Sequence, residues 1–118
     1  NIPSGELTML LTLRHLLLAK EFVIPSDIGD AMKLSRPAVS RMLHNLERKG
    51  YLEMKSSEED HRYVKVQFTQ TGKELIIEEF EKCCKLLERV KERMGEKDMY
   101  KFLYYYSQFC TILVDEIF

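Results

Sequence analysis

Long apolar runs are absent from this sequence. No stretch of roughly 18 apolar residues occurs, so no helix is expected to cross a membrane. Cysteine is scarce and odd in number: Cys83, Cys84 and Cys110 cannot all pair, and the adjacent Cys83 and Cys84 are badly placed to pair with each other on a helix. A disulfide framework is therefore not expected, and a reducing cytoplasm is the expected setting. The chain begins at Asn1 rather than Met and shows no signal-peptide pattern, which leaves room for an upstream piece. Catalytic signatures are missing too. There is no G-x-G-x-x-G, P-loop, H-E-x-x-H or C-x-x-C, and no spacing of Ser, His and Asp that suggests a triad. These absences point away from an enzyme, and no cofactor or metal is implied. Internal repeats and low-complexity segments are lacking as well.

The 118 residues suffice for one domain with a real core, and 45% hydrophobic with 31% charged residues describe a soluble globular chain. The net charge is only −1, but it is unevenly spread. Between Lys33 and Lys65 eight basic residues face five acids, so that segment is +3 and the remainder −4. Phosphates respond to local charge, so the basic middle is a candidate nucleic-acid footprint.

The patterning divides the chain. Glu6 to Lys20 is rich in leucine and free of Gly and Pro, which predicts a mostly buried helix with Ser4 as N-cap. The β-prone "EFVI" follows, ended by Pro25. A second helix is expected over "PSDIGDAMKL", capped by Ser26, with Ile28, Ala31 and Met32 on its apolar face. After a short break, Ser35 is a good N-cap for "RPAVSRMLHNLERKG", with Pro37 in the first turn and Gly50 as terminator. Val39, Met42, Leu43 and Leu46 form that helix's apolar face. "YLEMKS" and "RYVKVQF" are strand candidates of a hairpin. Two long helices follow, from about Gly72 to Met94 and from Lys97 onward, interrupted at Gly95. They carry more apolar surface than a monomer's exterior would. The expected fold is mainly α with a small β-hairpin wing. The expected division is a winged-helix region, the candidate DNA-binding part, over residues 1–70 and a helical, candidate dimerisation region over 71–118, in one continuous structural domain.

Two short helices with a tight break, the second followed by a hairpin, make a winged helix-turn-helix. The second helix suits the DNA major groove, and the hairpin can reach phosphates or the minor groove. The first turns of that helix expose Arg36, Pro37, Ala38, Ser40, Arg41 and His44. Arginine fits guanine, serine fits bases or phosphate, and Pro or Ala can touch a thymine methyl. Ser35 offers a hydroxyl and the helix N-terminus to a phosphate. His44 is a candidate phosphate contact or a neutral surface histidine.

On "LSRPAVSRMLHNLERKGYL", the D-x-R of Asp60 and Arg62 and the T-x-x-G of Thr69 and Gly72, the chain resembles the MarR family of transcriptional regulators. The resemblance spans about residues 6 to 118. It implies that Arg36, Pro37, Ser40 and Arg41 face the major groove, and that Arg62 enters the minor groove from the wing, held by Asp60. It also implies a homodimer formed through the terminal helices, a pseudo-palindromic operator and repression by promoter occlusion. A small-molecule effector would bind between the dimer helices and the winged module. Two features depart from the family pattern. Only "NIPSG" precedes the first helix, where relatives usually have another helix. Glu58 and Glu59 make the hairpin loop acidic, and they are expected to lower nonspecific affinity for DNA.

Other constellations read as structural. His61 beside Asp60 is not expected to bind metal, because consecutive hairpin residues alternate sides. His15, among leucines, reads as a core or pocket histidine. The cysteines lie in apolar stripes, where cysteine usually packs. Tyr104, Tyr105 and Tyr106 cannot share one helix face; core, dimer contact and ligand pocket are all open to them, with core and dimer contact favoured. A protein–protein adaptor using the same fold is the alternative reading. It would not need arginines at 36, 41 and 62 together.

Overall fold

A computed structural model describes residues 2–56 and 63–118. The described residues form five helices and one hairpin: α1 (Ser4–Ala19), α2 (Pro25–Met32), α3 (Arg36–Arg48), β1 (Leu52–Ser56), β2 (Val64–Phe68), α4 (Gln70–Met94) and α5 (Glu96–Ile117). This is the expected mainly helical fold with a hairpin wing. The chain forms two compact units, Asn1–Glu78 and Glu79–Phe118.

The core lies in the first unit. Met9, Leu10 and Leu13 of α1 meet Ile28 of α2, Val39, Leu43 and Leu46 of α3, Leu52 and Val66 of the hairpin, and Ile76 of α4. Truncating any of the fully buried leucines to alanine should cost about 2–5 kcal/mol. α1 is less buried than its composition suggests. Leu11 and Leu18 are exposed, and so is His15, which is not a core histidine. A single-layer helix buries only the stripe that meets its neighbours, however leucine-rich the rest.

Two predicted caps are corrected. α1 starts at Ser4 itself, preceded by Pro3 without a side-chain cap. The N-cap of α2 is Ile24, not Ser26. Pro25 supplies the pre-set first-turn φ, and Asp27 reaches back so that its carboxylate accepts the Ile24 amide at 3.0 Å. Asp27 also receives the Lys20 ammonium at 2.8 Å. Burial pushes the Asp27 carboxyl up. The hydrogen bond from Lys20, the Ile24 amide and the lysine's charge together outweigh that, so its pKa lies below the usual carboxylate value.

β1 and β2 are antiparallel, with Leu52 opposite Phe68, Met54 opposite Val66 and Ser56 opposite Val64. The "EFVI" stretch contributes one bridge, Val23 to Val66, where the Val66 amide donates to the Val23 carbonyl at 2.8 Å. The Lys65 ammonium sits 4.7 Å from the centre of the Phe22 ring.

The T-x-x-G stretch joins the end of α3 to the start of α4. Gly50, in the left-handed region at φ +85°, turns the chain out of α3. The Thr69 hydroxyl donates to the Gly50 carbonyl and accepts the Gly72 amide at 3.0 Å, while the Thr69 amide donates to the Tyr51 carbonyl at 3.2 Å. A Cβ on Gly72 would lie 1.8 Å from that same carbonyl oxygen, so only glycine allows the approach.

In the second unit, Phe102, Tyr106, Phe109, Leu113 and Ile117 recur at three- and four-residue spacing, and all are exposed. Among the described residues, α5 buries none. Tyr104, Tyr105 and Tyr106 are likewise exposed, as are Cys83 and Cys84, while Cys110 is half-buried. Within the single chain these cysteines and tyrosines therefore do not pack into a core.

Candidate nucleic-acid interface

The start of α3 is set by local chemistry. Ser35 is its N-cap, with the hydroxyl accepting the Ala38 amide at 3.3 Å, and Pro37 occupies the first turn. That start determines which side chains each face presents. Val39, Leu43 and Leu46 go to the core. Arg36, Ser40 and His44 form a row at four-residue spacing, and Pro37 and Arg41 form the adjoining row. All five are exposed, as is Ser35, whereas Ala38 is half-buried. Apart from Ala38, the α3 residues expected to read DNA thus share one outer surface.

Neither Arg36 nor Arg41 has an ion-pair partner among the described residues. Their guanidinium groups remain available for an external acceptor. Beside the row runs a cleft of about 540 Å³ between α2, α3 and β1, with Asp30, Arg36, Ser40, His44 and Met54 among its walls. Asp60 and Arg62, together with Glu58, Glu59 and His61, lie outside the described residues. Among the described residues, no cluster of three or more His, Cys, Asp or Glu side chains could hold a metal ion.

Two contacts that position α3 were not foreseen from sequence. Lys49, at its C-terminal end, donates to Glu6 of α1 at 2.8 Å. Glu6, 7% exposed, is the one buried charged residue among those described. Glu47 joins α3 to the hairpin: one carboxylate oxygen accepts the Met54 amide at 3.1 Å, and the other stands 3.9 Å from His44 Nδ1. The three-residue spacing of His44 and Glu47 is visible in the sequence. The link to Met54 depends on how the hairpin docks and carries no local signal.

This arrangement defines a winged helix-turn-helix, a fold class of DNA-binding transcription regulators. Residues 7–62, the stretch that contains the helix-turn-helix and the first hairpin strand, match the model of the MarR family. Over those residues the resemblance read from the sequence holds. Solved structures agree on the fold. A variant of MepR from S. aureus matches with a TM-score of 0.82 at 20% identity, covering 95% of this chain and 80% of that one. A MarR-like transcriptional regulator from Thermotoga maritima matches with a TM-score of 0.77 at 21% identity, covering 97% and 78%. FabT from Streptococcus pneumoniae, solved in complex with DNA, matches with a TM-score of 0.67 at 24% identity, covering 98% and 78%. No curated protein matches the sequence. Among the described residues, no helix is long and apolar enough to cross a membrane.

Proposed function

We propose that this protein is a sequence-specific double-stranded DNA-binding regulator that acts in the cytoplasm as a homodimer and represses by occluding a promoter. The observation that carries the reading is the exposed surface of α3, where Arg36, Ser40 and His44 adjoin Pro37 and Arg41 and neither arginine has an ion-pair partner among the described residues. The DNA complex of FabT supports it at the level of a structural neighbour. In this reading α3 lies in the major groove, with Arg36 and Arg41 on bases or phosphates and Ser35 on a phosphate. Arg62, held by Asp60, reaches the minor groove, and Glu58 and Glu59 weaken nonspecific binding.

Residues 1–70 would then bind DNA and 71–118 would dimerise. The exposed apolar stripe of α5 supports a second copy as its partner. A two-fold dimer presents two copies of α3 about one helical turn apart, so the operator is pseudo-palindromic. An effector has a candidate seat in the first unit. A cavity of about 330 Å³ is walled by Leu17, Leu18, Phe68, Ile76 and Ile77 together with Arg14 and Lys73. Apolar walls with two cations suit a small organic anion, which would shift the population of DNA-competent dimers.

Selection of bound sequences from a random duplex pool tests the reading. A two-fold consensus is the expected result. Failure to enrich any duplex would leave the winged helix as a protein–protein adaptor.

A further inference from the structure

Among the described residues, one rung of the hairpin is hydrogen-bonded outward on both edges. Met54 and Val66 face each other across β1 and β2. The amide of each turns outward: Met54 donates to Glu47 at 3.1 Å, and Val66 donates to the Val23 carbonyl at 2.8 Å. That is the geometry of a non-hydrogen-bonded antiparallel pair, whose amides leave the ladder on opposite edges. One edge is therefore tied to the connection between α1 and α2, and the other to α3. The first tie runs backbone to backbone and survives most substitutions. The second depends on one side chain.

We infer that Glu47 is a positioning residue for DNA recognition: its carboxylate sets the direction in which the hairpin projects from the helix that reads the major groove. The inference rests on the DNA-binding reading above and names the residue that makes α3 and the wing act as one surface. A carboxylate close to an expected phosphate-facing row is electrostatically unfavourable for DNA binding. Its position is explained by the amide it accepts. One of its oxygens accepts the Met54 amide, and the other stands near the exposed His44. A glutamine at 47 keeps a carbonyl acceptor for Met54 and removes the charge. An alanine removes both.

The test compares the wild-type chain with Glu47→Gln and Glu47→Ala in two measurements. Amide hydrogen exchange, resolved by NMR, reads the strut without DNA. Met54 should exchange faster in Glu47→Ala and stay slow in Glu47→Gln, with Val66 unchanged in both. Affinity is then measured for the duplex selected by the wild-type protein and for a scrambled duplex. Losing a hydrogen bond to a charged acceptor predicts about a tenfold or greater loss on the selected duplex for Glu47→Ala. On the scrambled duplex less than about a threefold change is expected, because phosphate contacts carry that binding. Glu47→Gln should stay within about threefold of wild type on both. Unchanged Met54 exchange in Glu47→Ala overturns the strut. Wild-type affinity of Glu47→Ala for the selected duplex overturns the positioning role. So does a Glu47→Gln variant that falls as far as alanine, because charge rather than the acceptor would then matter. If the wild-type protein enriches no duplex, the DNA reading falls and takes the positioning role with it, while the exchange data still report on the strut.

Discussion

Replacing Gly72 with alanine sets two effects of opposite sign against each other. Alanine inside a helix gains about 1 kcal/mol over glycine. At Gly72 the added Cβ would stand 1.8 Å from the Tyr51 carbonyl oxygen, 2.8 Å from its carbon and 3.2 Å from Phe68 Cδ1. An ordinary carbon–oxygen contact is about 3.3 Å, so α4 must retreat from the α3–β1 junction by about 1.5 Å. Retreat on that scale breaks the Gly72 amide's bond to the Thr69 hydroxyl and the Thr69 amide's bond to Tyr51. Each loss costs about 1 kcal/mol, and overpacking costs about 1–3 kcal/mol more. The net is a destabilisation of about 2–4 kcal/mol, or a Tm lower by roughly 10 °C or more for a domain of this size. Gly5→Ala is the internal control. Its Cβ would meet only Met42 Cε, at 3.6 Å, an ordinary contact, so it should be neutral or stabilising by up to about 1 kcal/mol. Thermal and urea unfolding followed by circular dichroism measure both variants. A Gly72→Ala protein as stable as wild type, or the same sign for both substitutions, would refute the reasoning.

Asp27→Asn should destabilise the protein at neutral pH through loss of the ion pair with Lys20. The folded pKa of Asp27 is depressed, so its contribution is complete above the unfolded carboxyl's pKa of about 3.9 and fades as pH falls through the lower folded value. The gap between variant and wild type in urea unfolding should therefore shrink at pH 3. Arg36→Ala should relax base preference on the selected duplex by about 1–3 kcal/mol while changing nonspecific affinity less, as read by competition binding. Arg62→Ala should weaken binding and flatten its dependence on salt, which a salt titration of affinity measures directly. Phe109→Glu, in the exposed stripe of α5, should shift sedimentation from dimer to monomer without lowering helix content.

The parts of the fold that were legible in the sequence are those governed by neighbours along the chain. Ser35, Pro37 and Gly50 bracket α3 through capping, a pre-set φ and a left-handed terminator, and each acts within a turn or two. The outer rows of α3 followed directly, because helical spacing assigns faces once the start is known. Ser26 misled because a strong capping residue stood next to Pro25, while Asp27 was already taking the Ile24 amide. The burial of α1 was overestimated because leucine content does not say how many sides have neighbours. Lys49 with Glu6, and Glu47 with Met54, join residues brought together only by packing, and no local pattern marks them.

A two-stranded hairpin ordinarily offers two open edges, and open edges recruit strands from other molecules. Here the rung of Met54 and Val66 has its outward amides occupied, by a carboxylate on one side and a carbonyl on the other. At that rung neither edge has an amide free to pair with an added strand. At high concentration the middle of the hairpin is thereby protected from seeding β-aggregates.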